Sequence, residues 1–161
     1  MKRILLIMSA LAMIATAGSC GKRANVSMAY DYPAEVIGVE LDGSVTMQVW
    51  GTGRNRTDAI EQAHKDAVHT VLFKGVTADG MRASLTRALV LENNAEVKYR
   101  MFFNEFFSDR GDYTKFVSRE DTRGGTNTRQ RTDNQVRYGV VVRVLRSELE
   151  QYLIDEGILK P

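Results

Sequence analysis

The side chains that this chain could use for chemistry are few: one cysteine and two histidines. Because Cys20 is the only thiol, no disulfide can form within the chain. His64 and His69 are five residues apart, which on a helix places them on faces about 140° apart. They cannot bind one metal ion together from that helix, and a metal site needs several convergent ligands. We therefore expect no metal site, no cofactor, and surface or boundary positions for both histidines.

Motifs for nucleophilic or nucleotide chemistry are also missing. The chain has no Gly-x-Ser-x-Gly motif. Gly51-Thr52-Gly53 lacks the third glycine of a dinucleotide fingerprint and has Arg56 in its place, so it predicts a strand-to-helix turn. The paired carboxylates Glu120-Asp121 and Asp155-Glu156 lie in polar or terminal stretches, and Arg110-Gly111-Asp112 predicts a turn. We predict no catalytic residue and a protein that is not an enzyme.

Cys20 ends an N-terminal segment with the composition of a secretion signal. The basic pair Lys2-Arg3 precedes an apolar run, Ile4–Ala17, and the small residues Gly18-Ser19 follow. This order is typical of a signal peptide. The apolar run is shorter than the roughly 20 residues that span a bilayer as a permanent helix. The sequence therefore predicts a removable signal over residues 1–19.

The segment Ala17-Gly18-Ser19-Cys20 resembles a bacterial lipobox, in which the cysteine is acylated and becomes the mature N-terminus. The resemblance implies that Cys20 is the lipid anchor, and two or more acyl chains hold a protein stably in a membrane. Gly21 stands where an acidic residue would retain a lipoprotein in the inner membrane. The resemblance thus implies an outer-membrane protein that faces the periplasm. The alternative is an ordinary signal peptide cut near Ser19, which leaves a free thiol.

Removal of the signal changes the charge of the protein. The whole chain has 22 basic and 20 acidic residues, and the loss of Lys2 and Arg3 leaves 20 of each. A neutral domain lacks the basic excess typical of nucleic-acid binding, so we expect no nucleic-acid partner. Residues 20–33 show no helical or strand period and predict a lipidated tether. Residues 34–161 are long enough for a single domain with its own core.

A β-hairpin is predicted where apolar residues begin to alternate. A two-residue Asp42-Gly43 turn is the default connection, but it would place apolar residues opposite polar ones. A three-residue loop, Leu41–Gly43 with a left-handed glycine, instead pairs Val39 with Val45 and Ile37 with Met47. Register follows the buried face, so we predict the three-residue loop.

The helix with the clearest pattern is predicted between Asn55 and Gly75. Asn55 can cap it, Asp58 lies near its positive end, and Gly75 can end it. Apolar residues recur on one face, among them a ridge of small side chains formed by Ala59, Ala63 and Ala67. A small-residue ridge lets a helix lie close to a sheet.

Three further helices are predicted. One is a short helix over Ala83–Leu91, and another begins at a cap formed by Asn93 with Glu96. The last begins at a capping box, Ser147–Glu150, and ends at Gly157.

Two further strands are predicted, over Tyr113–Ser118 and Val136–Leu145. In the second, alternate residues from Val136 to Val144 form an apolar face, which is typical of a half-covered antiparallel strand. The order β-β-α-α-α-β-β-α predicts an α+β fold. We expect a two-layer sandwich of about four antiparallel strands with helices on one face.

The strand Val45–Gly53, the helix with its alanine ridge, the strand Tyr138–Leu145 and the helix Ser147–Leu153 follow one another in a recognisable order. Over residues 45–155 this order resembles the small outer-membrane lipoproteins grouped with the N-terminal domain of flagellar assembly protein T. The resemblance implies a non-enzymatic accessory domain of an envelope machine. A lipoprotein of a type VI secretion apparatus fits the same features.

An arginine-rich segment, Ser118–Arg137, is the first candidate for partner binding; its basic residues are Arg119, Arg123, Arg129, Arg131 and Arg137. It predicts either a solvated hairpin or a protruding β-arm that contacts an acidic partner, since the planar guanidinium suits such contacts. The second candidate is the cluster Phe102-Phe103-Asn104-Glu105-Phe106-Phe107. Four phenylalanines cannot all face inward on one amphipathic helix, so we expect most in the core, with Phe102 and Phe106 as candidates to face a partner.

These features predict a non-catalytic outer-membrane lipoprotein that acts as a structural or accessory component of an envelope-spanning assembly for secretion or motility. Its expected partners are the membrane, through acylated Cys20, and one or more envelope proteins, with self-association left open. The alternative is a periplasmic binding module for peptidoglycan or another envelope glycan. Only Trp50, Tyr138 and the arginine-rich segment offer the aromatic and polar groups that glycan binding needs.

Overall fold

The structure is a computed structural model that describes residues 34–76, 87–118, 129–132 and 135–160. In this part of the chain an open antiparallel sheet packs against helices, which confirms the predicted α+β fold. The sheet order is β1–β2–β5–β3, and β4 pairs with β5 on the edge opposite β2. The strands are β1 (Glu35–Val39), β2 (Val45–Gly53), β3 (Val117–Ser118), β4 (Arg129–Thr132) and β5 (Gln135–Val144).

The helices connect and cover the strands. The longest, α1 (Arg56–His69), continues into a π-helical turn, Thr70–Lys74. Two short helices follow, α2 (Ala95–Lys98) and α3 (Arg100–Phe106), and α4 (Arg146–Asp155) ends the fold. None of the helices in the described ranges is long and apolar enough to cross a membrane. The predicted signal and tether, residues 1–33, lie outside those ranges.

The β1–β2 turn has the predicted three-residue loop. The Glu40 N–H donates to the Ser44 carbonyl at 2.9 Å, and the Gly43 N–H donates to the Glu40 carbonyl at 3.0 Å. Gly43 has φ 81°, a left-handed conformation that glycine adopts without steric cost. The prediction of this loop is therefore confirmed.

The register beyond that turn is only partly as predicted. Val39 lies opposite Val45 as expected, but Val36 rather than Ile37 lies opposite Met47. A β-bulge between Val36 and Gly38 inserts one extra residue, and Ile37 is left 58% exposed. The predicted Ile37–Met47 pair is wrong because strict alternation does not anticipate a bulge.

One face of the two central strands forms the core. On β2 and β5 alternate residues are buried: Val45, Met47 and Val49 on the first strand, and Tyr138, Val140, Val142 and Val144 on the second. The core is completed from α4 by Leu149 and Leu153, which are fully buried. The period-two pattern that predicted β5 over Val136–Leu145 thus agrees with the strand, Gln135–Val144.

The alanine ridge of α1 lies directly on β2. The Asn55 side chain caps the helix by accepting from the Asp58 N–H at 2.9 Å, as predicted. Ala59, Ala63 and Ala67 are fully buried. A Cβ added at Gly51 of β2 would lie 1.9 Å from the Ala59 carbonyl oxygen, so only glycine allows this approach. Gly51 and Gly53 therefore admit the helix rather than cradle a phosphate.

The predicted helix over Ala83–Leu91 is wrong for the described residues 87–91, which are not helical; residues 83–86 lie outside the described ranges. The Leu89 N–H donates to the Val71 carbonyl at 3.2 Å, and the Val90 N–H donates to the Leu72 carbonyl at 2.8 Å. Because these amides donate to the turn after α1, they do not form the hydrogen bonds of a helix. The same turn ends at Gly75, as predicted.

The phenylalanine-rich helix begins one residue later than predicted and is broken in two. Asn94, with φ 62°, precedes α2 and makes no side-chain cap, so the predicted Asn93 cap is wrong. The backbone of Tyr99 departs from helical geometry and separates α2 from α3. Glu96 does not serve as a reciprocal cap, since its carboxylate contacts His69 instead.

The strand predicted before the arginine-rich segment also differs from the structure. The strand predicted over Tyr113–Ser118 is mostly a 3₁₀ turn, Asp112–Phe116, because alternate burial would not bring both Tyr113 and Phe116 into the core. Only Val117–Ser118 pairs with β5.

The capping box predicted at Ser147–Glu150 is wrong. α4 begins at Arg146 without a side-chain cap, and the Ser147 hydroxyl donates to the Asp42 carbonyl at 3.0 Å. The end of α4 is as predicted, since Gly157 is left-handed with φ 72° and the Ile158 N–H donates to the Leu153 carbonyl at 2.9 Å.

Candidate functional site

The predicted anchor and half of the predicted arginine set lie outside the described residues. Cys20, Arg119 and Arg123 belong to these undescribed positions. Arg129 and Arg131 lie on β4, where they pair in register with Tyr138 and Val136 of β5. The last part of the arginine-rich segment is thus one strand of an antiparallel hairpin, and its role in partner binding stays a prediction.

The phenylalanine cluster divides between the core and its edge. Phe103 and Phe106 are buried, at 6% and 2% exposure, whereas Phe102 and Phe107 are half-buried. Two of the four rings are therefore in the core, and the other two pack against it. Phe106 is 2% exposed and packs among other rings, so Phe102 is the more accessible of the two residues predicted to face a partner.

A groove opens beside Phe102, where the end of α3 meets the end of α4. Its volume is about 360 Å³. Eight residues line this aromatic–acidic groove: Phe102, Glu105, Phe106, Ser108, Gly111, Asp112, Tyr152 and Glu156. They come from α3, from the loop after it and from the last turn of α4, three segments that only the tertiary fold brings together.

The loop that forms one wall of the groove is held in place by α1. Lys65 of α1 donates to an Asp109 carboxylate oxygen at 3.0 Å. Glu61, one turn earlier, accepts from the Arg110 N–H at 3.3 Å and from the Tyr113 hydroxyl at 3.1 Å. These contacts fix the loop while Arg110 adopts a left-handed conformation, with φ 60°.

The apolar wall of the groove is a stack of aromatic rings. Phe102 and Phe106 are stacked at 5.7 Å between ring centroids, with 17° between their planes. Tyr152 lies 6.1 Å from Phe106 and 6.2 Å from Phe102. The faces of aromatic rings carry partial negative charge, so such a wall attracts cations as well as apolar groups.

The polar rim of the groove is acidic. Asp112 accepts from the Tyr152 hydroxyl at 2.9 Å and pairs with Lys115 at 2.9 Å. Glu105 and Glu156 are exposed, and neither makes an ion pair with any residue in the described ranges. The rim therefore has two exposed carboxylates that make no ion pair with a described residue.

The ionisation of Tyr152 reflects this environment. Burial, the hydrogen bond to Asp112 and the nearby charges of Asp112, Glu156 and Glu105 together raise the pKa of Tyr152 to about 12. Hydrogen bonds from Lys115 and Tyr152 lower the pKa of Asp112. At neutral pH the groove therefore holds a protonated Tyr152 phenol and an ionised Asp112 carboxylate, which suits the binding of a cation.

The two histidines are in different surroundings. His69 is buried at 9% exposure, deeper than the predicted boundary position, with its Nε2 atom 2.5 Å from a Glu96 carboxylate oxygen and its ring 4.9 Å from that of Phe73. Burial lowers the pKa of His69 more than Glu96 raises it. His64 is half-buried, close to its predicted boundary position. Within the described ranges no three His, Cys, Asp or Glu side chains converge as a metal site would require.

The aromatic residues named for glycan binding lie on opposite faces of the sheet. Tyr138 is in the core at 8% exposure, where the Arg56 guanidinium lies 5.6 Å from its ring. Trp50 is on the other face opposite Gly139, where a Cβ would lie 3.1 Å from the indole. The Arg137 guanidinium is 4.8 Å from the indole centroid. A single platform that contains both rings is therefore not formed.

No family model matches the chain, no curated protein matches its sequence, and no solved structure matches its fold. The resemblance to outer-membrane lipoproteins of flagellar or secretion machines thus stays a prediction.

The groove was not predicted from the sequence. The helical spacing of the phenylalanines indicated a surplus of rings, and Glu105 lies within that cluster. Tyr152 and Glu156, however, are more than forty residues away on α4. No local pattern connects the two segments, so only the packing of α4 against α3 and the 3₁₀ turn assembles the site.

Proposed function

We propose that this chain is a lipid-anchored, non-catalytic domain that binds another protein at the periplasmic side of the bacterial outer membrane, as an accessory component of an envelope assembly. The observation that carries the proposal is the order of basic, apolar and small residues that ends at Cys20, the only cysteine. In the described part of the chain the first strand begins at Glu35, fifteen residues after Cys20.

The distance between anchor and fold supports a binding role. Thirteen residues lie between Cys20 and Ala34, so fourteen residue steps separate the two. A fully extended chain spans at most about 3.5 Å per residue, so this tether reaches no further than about 50 Å. Acyl chains on Cys20 would hold the domain at the membrane surface, since each buried methylene contributes about 0.8 kcal/mol. The domain would then meet partners close to the membrane.

Exposed apolar residues on the short helices support protein binding. Val97 on α2 and Met101 on α3 are four residues apart and are 62% and 87% exposed. Exposed apolar side chains can take part in protein contacts, and methionine adapts well to partners of different shape. This pair is separate from the aromatic–acidic groove.

The chemistry of the groove favours binding over catalysis. A general acid or base works best with a pKa near the working pH. Tyr152, with a pKa of about 12, stays protonated there. Glycan binding remains the alternative; with Tyr138 in the core, it would depend on Trp50 and the arginine-rich segment.

The anchor is tested by Cys20→Ser in the native host, followed by membrane fractionation and labelling with a fatty acid. We expect the variant to lose the label and to leave the membrane fraction, or to stall during processing, because the acyl acceptor is gone. Label that persists on the Cys20→Ser protein would overturn the proposed anchor.

Partner binding is tested by affinity purification from detergent-solubilised membranes, with the wild type beside a variant in which Arg123, Arg129 and Arg131 are serine. Recovery of envelope proteins supports the proposal, and recovery of peptidoglycan fragments alone supports the glycan alternative. If the arginine-rich segment docks on an acidic partner, the triple variant should lose that partner in a salt-dependent way without losing thermal stability.

A further inference from the structure

We propose that the aromatic–acidic groove binds an arginine side chain from a basic segment of the partner protein. This inference deepens the proposed partner-binding function and rests on it. Three observations support it: the aromatic wall, the two rim carboxylates that make no ion pair with a described residue, and a cavity with space for one long side chain.

The size of the groove limits what it can hold. Its volume of about 360 Å³ lies at the lower end of the ~300–1,000 Å³ that is typical of ligand pockets. A single long side chain fits this space, whereas a folded domain does not. The groove is therefore suited to an anchor residue on a larger partner.

The charges of the groove select a cation. Lys115 already pairs with Asp112, and its ammonium lies 5.9 Å from the Tyr152 ring centroid. Glu105 and Glu156 have no such pairing within the described part of the chain. An incoming cation can pair with these two carboxylates without displacing the lysine.

The rings favour a guanidinium over an ammonium. A guanidinium is planar and stacks on aromatic faces. Its five N–H groups can also donate two parallel hydrogen bonds to one carboxylate. Phe102, half-buried and stacked with Phe106, lines the groove together with Glu105 and Tyr152 and is the most accessible ring of its wall. An ammonium is more strongly hydrated and makes no planar stack, so lysine gains less from the same wall.

The test uses the full-length protein in detergent and a dye-labelled peptide with two arginines separated by glycines, followed by fluorescence anisotropy. The test variant is Glu105→Gln/Glu156→Gln. The matched control is Glu40→Gln/Glu148→Gln, which changes the net charge equally at two exposed carboxylates that lie outside the groove and make no ion pair with a described residue. The single variant Glu105→Gln serves if the double variant does not fold.

We expect the peptide to bind the groove variant at least tenfold more weakly than the wild type and the control within twofold of it. A lysine peptide should bind several-fold more weakly than the arginine peptide, and binding should weaken with added salt. Equal loss in both double variants would overturn the proposal. Competition by choline as strong as that by the arginine peptide would also overturn it, in favour of a lipid ammonium group.

Two outcomes separate this inference from the proposed function. If affinity purification recovers envelope partners equally with the wild type and with Glu105→Gln/Glu156→Gln, the groove assignment fails while the proposed function stands. Self-association of the protein that disappears in the groove variant would assign the groove to a second copy of the chain, and would overturn the partner assignment.

Discussion

The contact between α1 and β2 and the aromatic–acidic groove are built on opposite principles. Where α1 packs on β2 the side chains are the smallest available, since Ala59, Ala63 and Ala67 lie against the strand that contains Gly51. No space remains between the backbone of the helix and the backbone of the strand. The groove is lined by large aromatic side chains and long acidic side chains, and its open volume is about 360 Å³. The α1–β2 contact leaves no space for a ligand, whereas the groove has both an open volume and two carboxylates that make no ion pair with a described residue.

The difference indicates which region supplies stability and which can supply binding. Close packing makes a contact intolerant of added volume, because the backbone must shift before a new atom fits. An open rim of exposed carboxylates contributes little to folding, since water solvates each charge. Substitutions should therefore affect stability at one region and recognition at the other.

The largest expected effect is at Gly51. Gly51→Ala places a Cβ 1.9 Å from the Ala59 carbonyl oxygen, so α1 must move away from the sheet. We expect a loss of about 3 kcal/mol or more in the free energy of unfolding, measured by urea denaturation, and a loss of about 1–3 kcal/mol for Ala63→Leu.

The matched control is Gly38→Ala on β1, where an added Cβ meets no atom within 4 Å. It should leave stability unchanged within about 0.5 kcal/mol. If Gly51→Ala unfolds at the same urea concentration as Gly38→Ala, then α1 does not lie as close to β2 as the structure has it.

A smaller effect, opposite in sign, is expected at Asp66 of α1. Burial raises the pKa of Asp66 from 3.8 to about 6, against the opposing effects of Gln62, Lys74 and Lys65. Between about pH 4 and pH 6 the folded state holds more protons at Asp66 than the unfolded state does. Rising pH therefore removes stability through this range, and the loss is complete above the folded pKa.

Asp66→Asn keeps the acceptor for Gln62 and removes that loss. We expect it to stabilise the protein by about 1–2 kcal/mol at pH 7 and to leave stability nearly unchanged at pH 4, measured by urea denaturation at both values. Glu40→Gln, at an exposed turn residue, is the control and should have no effect at either pH. A variant that is less stable than the wild type at pH 7 would contradict the inferred cost of the buried charge.

The smallest expected effect on stability is in the groove. Glu105→Gln/Glu156→Gln removes two exposed carboxylates that make no ion pair with a described residue, so the free energy of unfolding should change by less than about 0.5 kcal/mol. Thermal melting followed by circular dichroism checks this. A decrease in stability well beyond that of Glu40→Gln/Glu148→Gln would mean that the rim is structural, and the contrast between the two regions would fail.

The elements with a strong local period were predicted well. The alternation along β5 and the alanine ridge of α1 each bury one face, and the Asn55 cap follows from a short-range hydrogen bond. The predicted cap at Asn93 and the predicted capping box at Ser147–Glu150 are wrong. In each, a side chain that the cap needs makes a different contact. Ser147, for example, donates to Asp42, which is more than a hundred residues away.

The amino-acid sequence by itself determined the α+β class, the turn at Gly43, the fit of α1 on β2 and the signal-like order that ends at Cys20. Each depends on the period, size or backbone freedom of neighbouring residues, which the chain carries locally. The tertiary structure alone decided the bulge at Ile37 and the aromatic–acidic groove. The groove exists only because α4 packs its Tyr152 against Phe102 and Phe106 of α3, so that carboxylates remote in the sequence face one ring wall.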